Sequence, residues 1–168
     1  MKPTDEKFAS AMPELPFFHF DVSLNEEHTW LQIACSGHPL INLGERIHHY
    51  SLLTLARHRL GDARRGYEAD SQGWLAIGQL EKMLGLDGKY LNIQIFRARR
   101  QLQKALPAGV SIDAVIERRR GEIRFGRQPF RIVRGSKLEG EFIPVSLDSS
   151  KPDESSQPQL QLYSAALR

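Results

Sequence analysis

Residues 87–106 constrain the fold of this chain more than any other stretch. Set on a helix at about 100° per residue, Leu91, Ile95, Ala98, Leu102 and Leu106 fall on one apolar face, while Lys89, Tyr90, Ile93, Arg97, Arg100 and Lys104 fall on the opposite one. One face can pack and the other carries four cations. The outer face of a bundle helix is charged too, so the pattern alone predicts an amphipathic surface helix over 88–106. Its neighbours narrow the choice. A short helical segment and a turn come before it, and a cationic, strand-like run over 116–133 comes after it.

At 168 residues, 40% of them hydrophobic, the chain is long enough for one domain with a proper core plus tails. It holds no apolar run near the roughly 20 residues that span a bilayer, so no membrane partner is expected. The opening MKPTDEK lacks the apolar core of a signal peptide, and the single cysteine, Cys35, cannot close an internal disulfide; both features predict a cytoplasmic protein. The formal net charge is only +3, but it is unevenly spread. From residue 89 to 137, thirteen Lys and Arg face three acids, so this segment carries +10 and the remainder −7. A basic third on an acidic remainder suits a protein that offers one surface to a polyanion.

Residues 1–14 mix charge, Ala and Pro without a period and are expected to form a flexible arm. Phe18, Phe20 and Val22 then alternate with Phe17, His19 and Asp21 at strand spacing; further strands are expected over 29–35 and 40–43, giving a small antiparallel meander. A helix over 45–60, with Tyr50, Leu53, Ala56 and Leu60 on one face and Ile47 at its edge, would cover the apolar side of that meander. Residues 61–73 read as an exposed loop. Ile77, Leu80, Met83 and Leu84 describe a short helix that Gly85 can end with a left-handed cap, and Asp87 and Gly88 turn the chain into the basic helix. After the break at 107–109, Ile123 to Phe125 and Phe130 to Ile132 alternate apolar with cationic residues and read as the two strands of one hairpin, with arginines on its outer face. The domain is expected to span 15–137. Residues 138–168 are expected to be a mostly disordered tail, with only 160–167 apolar enough for a brief helix or docking segment.

Helix, turn, basic helix and basic hairpin follow one another in the order of a winged helix-turn-helix, so the predicted class is α+β: an N-terminal antiparallel meander, three helices and a C-terminal hairpin wing over 115–134. The run LNIQIFRARRQL at 91–102 resembles the recognition helix of OmpR/PhoB-type response-regulator effector domains, and VIERRRGEIRF at 115–125 is similar to their wing. The likeness covers about 28–134. GERIHHYSLLTLA at 44–56 is similar, more closely, to the entry into the first helix of winged-helix segments beside forkhead-associated domains in bacterial proteins. The resemblance implies DNA binding and transcription regulation. It places Lys89 and Tyr90 on phosphate near the helix start, Gln94 as a polar reader, Arg97, Arg99 and Arg100 as basic contacts, and Arg120 with Gly121 at the wing tip. Phe96 stands where the family often has a basic residue, and Ile123 where it usually has an aromatic.

On such a surface, Arg97 and Arg100 present forked donors to guanine O6 and N7 or to phosphate, and Gln94 can pair with adenine in the same bidentate way. Lys104 extends the cationic face. Arg118, Arg119, Arg120 and Arg124 on the hairpin would reach phosphates or the neighbouring minor groove, adding affinity with little sequence reading. Arginine runs are also common on plain solvated surface. The expected partners are double-stranded DNA, a second copy of the chain in a dimer, and a signalling protein. The rival reading is a protein-interaction adaptor that keeps the same fold and uses the basic face, the loop at 61–73 or the tail on an acidic partner.

Other groups point away from catalysis. No two of His48, His49 and His58 have the i, i+4 spacing that brings imidazoles to one helical face, and no cysteine cluster joins them, so no metal is expected. Trp30 and Trp74 read as core anchors, and Cys35 as a buried, inert thiol. No GxGxxG or GxxxxGK[ST] loop is present. Neither an enzyme nor a cofactor is expected.

Overall fold

Alternating burial builds the first sheet. In β1 (Phe17–Val22) Phe18, Phe20 and Val22 are fully buried, and in β2 (Thr29–Ala34) Leu31 and Ile33 are, so both strands turn the same face to the core. β2 runs antiparallel to β1 and to β3 (Ile41–Glu45). The computed structural model describes residues 15–145; the arm expected at 1–14 and the tail beyond 145, including 160–167, lie outside them.

The sheet then departs from expectation. β7 (Phe130–Arg134) lies parallel to β1, with Phe18 opposite Phe130 and Phe20 opposite Ile132, and β8 (Lys137–Phe142) completes the order β3-β2-β1-β7-β8. A second sheet has the order β4-β6-β5, from β4 (Leu75–Ala76), β6 (Glu122–Phe125) and β5 (Ile116–Arg119). The two runs expected to form one hairpin therefore belong to different sheets. Their connection, residues 126–129, explains the switch: Gly126 N–H donates to the Val115 carbonyl at 2.7 Å, and Phe18 N–H of β1 donates to the Pro129 carbonyl at 3.0 Å. One end is held by the small sheet and the other by the large one. The hairpins that do form are β5–β6 and β7–β8.

The expected tail boundary at 137/138 also moves, because β8 occupies its first residues. KLEGEF buries only Gly140 and Phe142, so it carries little strand signal. Gly140 is needed there because α1 (Ile47–Arg64) crosses closely: a Cβ on Gly140 would stand 2.5 Å from both Leu60 Cδ2 and Arg64 Nη2.

α1 fills the space between the sheets, burying Leu52, Leu53, Leu55, Ala56 and Leu60 together with the polar His48, His49, Arg59 and Asp62. It runs one turn past the expected end at residue 60. Asp62, buried there, accepts from Gly73 N–H at 2.8 Å and draws the following loop back against the helix. Arg57 fastens the other flank: its guanidinium donates through two nitrogens to Glu139 of β8, at 2.7 and 2.8 Å, and through the third to Glu26. The hydrogen bond from Arg57 holds the Glu26 carboxyl below its usual range. α2 (Ile77–Leu84) and α3 (Gly88–Ala105) complete three α-helices among the described residues, and the class is α+β.

Phe125 of the small sheet meets Phe18 of the large one edge-on at 5.2 Å and Phe130 at 5.4 Å, and Phe130 in turn stacks on Phe142 at 5.2 Å. The sheets thus share one core.

Gly126 tests the connection. A Cβ there would fall 1.8 Å from the Ala114 carbonyl oxygen, a backbone atom that cannot swing aside. Gly126→Ala is expected to destabilise the fold by about 3 kcal/mol, at the upper end of overpacking costs. Gly78→Ala, inside α2 with open space around it, is expected to stabilise by about 0.5–1 kcal/mol. Urea unfolding of the two variants checks both signs.

Candidate nucleic-acid interface

α3 is held at its start by its cap and along its length by packing. The Asp87 side chain accepts from Tyr90 N–H at 3.0 Å, satisfying one of the free amides of the first turn. α2 ends three residues earlier at Gly85, which takes the left-handed φ of 65°, while Leu86 N–H reaches back to the Glu81 carbonyl at 3.0 Å. Leu91, Ile95, Ala98 and Leu102 are then buried, as the spacing predicts.

A polar lock fixes the far half of α3. Gln101 Oε1 lies 2.7 Å from His48 Nε2 and 2.8 Å from His49 Nε2, at the start of α1, and His49 Nδ1 is 3.2 Å from the Thr29 carbonyl of β2. Burial pushes both imidazoles below their ordinary pKa, while the hydrogen bonds to Gln101 and Thr29 act the other way.

The outward face of α3 stands in solvent. Lys89, Tyr90, Arg97, Arg100 and Lys104 are exposed, and among the described residues none of the four cations makes an ion pair. The β5–β6 hairpin lies beside it: Asn92, Phe96 and Arg99 of α3 line a groove of about 1030 Å³ together with Asp113 and with Ile116, Glu117 and Arg118. Arg118 and Arg120 are exposed on that hairpin. Arg119 is half-engaged, donating to Glu122 at 2.8 Å with its guanidinium 4.1 Å from the Trp74 ring centroid. The groove itself holds Arg99 and Arg118 beside Asp113 and Glu117; the exposed cations of α3 lie outside its lining.

Three residues expected at this surface are placed otherwise. Arg124 is 7% exposed. It donates to Glu117 at 2.9 Å and to the carbonyls of Ala69, Asp70 and Gln72 at 3.0–3.2 Å, and it lies over the Trp74 ring at 4.3 Å. Alternation along β6 put it on the outer face, but that face is covered by the loop after α1. Gln94 turns its carboxamide oxygen into a buried position with no hydrogen-bond partner, so the bidentate adenine contact is not presented. Arg99 donates to Asp113 and to the Ile116 carbonyl at 3.2 Å, on the flank of α3 rather than its outward arc. Arg127, Arg131 and Arg134 are also engaged, with the Val145 carbonyl, Glu141 and the Leu24 carbonyl respectively.

The loop expected as merely exposed is anchored from beneath. Arg59, fully buried, donates to the Ala69 carbonyl at 3.2 Å and to the Phe125 carbonyl at 3.0 Å. Two guanidinium groups therefore share the Ala69 carbonyl. Sequence reasoning passed over Arg59 because an arginine on an apolar helix face looks like a helix edge. Trp74 is half-buried under arginines, and Trp30, 41% exposed, sits on the solvent face of its sheet; neither is a core anchor. Phe96, 62% exposed on α3, was legible only as the aromatic among cations.

Among the described residues no three His, Cys, Asp or Glu side chains gather as metal donors, and no helix is long and apolar enough to cross a membrane. Comparison with protein-family models, curated proteins and solved structures returned no match.

Arg124→Met is expected to cost about 2–4 kcal/mol, since it strands three carbonyls and Glu117, and to speed tryptic cleavage after Arg65. Arg118→Ala should leave stability within about 0.5 kcal/mol. Limited proteolysis with thermal melts separates them. The histidine lock sets a pH dependence. Its folded-state pKa values lie below the unfolded 6.5, so the unfolded chain takes up protons first; stability contributed by the lock is complete at neutral pH and falls as pH drops below about 6.5. Melting temperatures from pH 8 to 5 should decline, less steeply in His48→Gln.

Proposed function

We propose that this chain is a DNA-binding transcriptional regulator with a winged helix-turn-helix fold, in which α3 enters the major groove and the β5–β6 hairpin is the wing, set on phosphates or in the minor groove. The order α1, β4, α2, α3, β5, β6 supports the fold, with β4 pairing to β6 and three residues between α2 and α3. The observation that carries the function is that Arg97 and Arg100 stand exposed on α3, free of acidic partners among the described residues, while Arg118 and Arg120 are exposed on the β5–β6 hairpin. A guanidinium in that state offers its full fork of donors to guanine or phosphate.

The division of labour follows from position. Arg97 and Arg100 read bases; Lys89, Lys104, Arg118 and Arg120 add affinity through phosphates, and such contacts release counterions. Arg124 and Gln94 are left out of the contact set.

A second reading has its own observation. Tyr90 and Phe96 are 58% and 62% exposed on the same helix and Met83 on α2 is 51% exposed, which also suits a protein-interaction adaptor in a signalling pathway.

A mobility-shift titration against a random duplex pool discriminates them. At about 50 mM salt the parent chain is expected to retard duplex, with affinity falling about 10³-fold or more by 200 mM if six phosphates are neutralised. Arg97→Ala with Arg100→Ala should lose about tenfold or more on a selected site, given about 1–3 kcal/mol per bidentate contact. No retardation at low salt, or an unaffected double variant, overturns the reading.

A further inference from the structure

The outward arc of α3 is not purely cationic. Tyr90, Ile93 and Phe96, at i, i+3 and i+6, are 58%, 36% and 62% exposed and form an apolar stripe. Lys89, Arg97, Arg100 and Lys104 share that arc, and the helix carries no acid at all. Isolated exposed apolar residues are ordinary on a surface. Three in seven residues on the exposed arc of a helix whose own charged residues are all cationic are a shaped surface.

Charge complementarity names its occupant. A neutral apolar helix would leave four cations unpaired around the contact, and a cationic partner would be repelled. A polyanion with apolar groups on its floor satisfies both parts of the arc, and the DNA major groove is such a surface: phosphates along its rims, and the thymine 5-methyl as the apolar group among its base edges. Size agrees as well. Six residues of helix advance about 9 Å, and stacked bases are about 3.4 Å apart, so the stripe spans between two and three base steps.

Resting on the DNA-binding reading above, we infer that Ile93 and Phe96 are specificity-determining residues that read thymine methyl groups, so that the target of this chain contains thymines flanked by the guanines or phosphates met by Arg97 and Arg100. Ile93 lies at the centre of the arc between the two arginines. Phe96 lies at its edge, where it also lines the groove toward Arg118. Readout of this kind needs no hydrogen bond from Gln94, whose amide oxygen is turned inward.

The test uses the full chain and one duplex, the tightest binder selected from a random pool, remade with deoxyuridine at every thymine. Removing a methyl leaves every hydrogen-bonding edge intact. The parent chain is expected to lose about fourfold in affinity per contacted methyl, the value of one buried apolar carbon, hence about fifteenfold for two. Ile93→Ala with Phe96→Ala should bind the thymine duplex more weakly and treat both duplexes alike. Its melting temperature should fall by only a few degrees, because Phe96 is largely exposed and Ile93, about two thirds covered, lies off the buried row of α3. Equal affinity of the parent for the two duplexes, with binding still lost in the Arg97→Ala, Arg100→Ala variant, overturns this inference and leaves the DNA-binding reading standing. Absence of any duplex retention at about 50 mM salt overturns both. Self-association that disappears in Phe96→Ala while the thymine preference is absent assigns the stripe to a second copy of the chain and overturns the inference.

Discussion

The contact on which this structure depends is the edge-on meeting of Phe125 with Phe18 and Phe130. Two small sheets, one of five strands and one of three, are not paired edge to edge among the described residues; what joins them, besides the 126–129 connection, is the aromatic cluster and α1 laid across both. Each sheet is too small to bury its own apolar face. Once the cluster forms, β6 is fixed relative to β1 and β7, and the β5–β6 hairpin acquires a defined direction. α3 packs its Leu91, Ile95, Ala98 and Leu102 row into the same core, so helix and hairpin are oriented by one set of contacts. The geometry of the groove between them is therefore a property of the core.

The arginines divide by what the backbone nearby requires. Arg59 and Arg124 lie under the loop after α1 and neutralise its carbonyls, a task that needs several donors on one rigid plane. Arg57 clamps a helix to a sheet edge through two carboxylates. Arg119 is tied to Glu122 and the Trp74 ring, which stiffens the hairpin near its tip. With Arg99, Arg127, Arg131 and Arg134 also engaged, the excess positive charge of residues 89–137 resolves into an unpaired remainder among the described residues, Lys89, Arg97, Arg100, Lys104, Arg118, Arg120 and Lys137. A count of charges along the sequence mixes fasteners with free cations.

That mixture marks how far the sequence could be read. The α3 register was legible because five apolar residues at helical spacing admit one face, and the Gly85 cap because few residues other than glycine adopt positive φ at little cost. The first three strands were legible from period-two burial. The partner of β7 was not, since alternation says which face of a strand is buried and nothing about which strand lies beside it. β8 was missed because a glycine under α1 and an edge position leave almost no hydrophobic signal. Arg124 was misplaced for a related reason: its alternation is correct, but the solvent face of β6 is roofed by a loop whose only signature is a lack of apolar residues. Gln94 was placed as a polar reader by the family resemblance alone; on this helix its carboxamide oxygen is buried.

The unpaired state of Arg97 and Arg100 matters beyond their exposure. An arginine that must leave an exposed carboxylate before meeting a ligand forfeits roughly 0.2–1 kcal/mol, and one that leaves a buried partner forfeits several times more. Arg99 and Arg119 carry the first cost and Arg124 the second. Arg97 and Arg100 carry neither; on the proposed reading, what would oppose their binding is the ordering of two long side chains, at about 0.5–1.5 kcal/mol each. Since the helix beneath them is already fixed by the Gln101 lock and the core row, no backbone ordering is added. On the proposed reading, a surface built this way would meet its ligand with the backbone already in place, and the ordering of those two side chains would be the main reorganisation left.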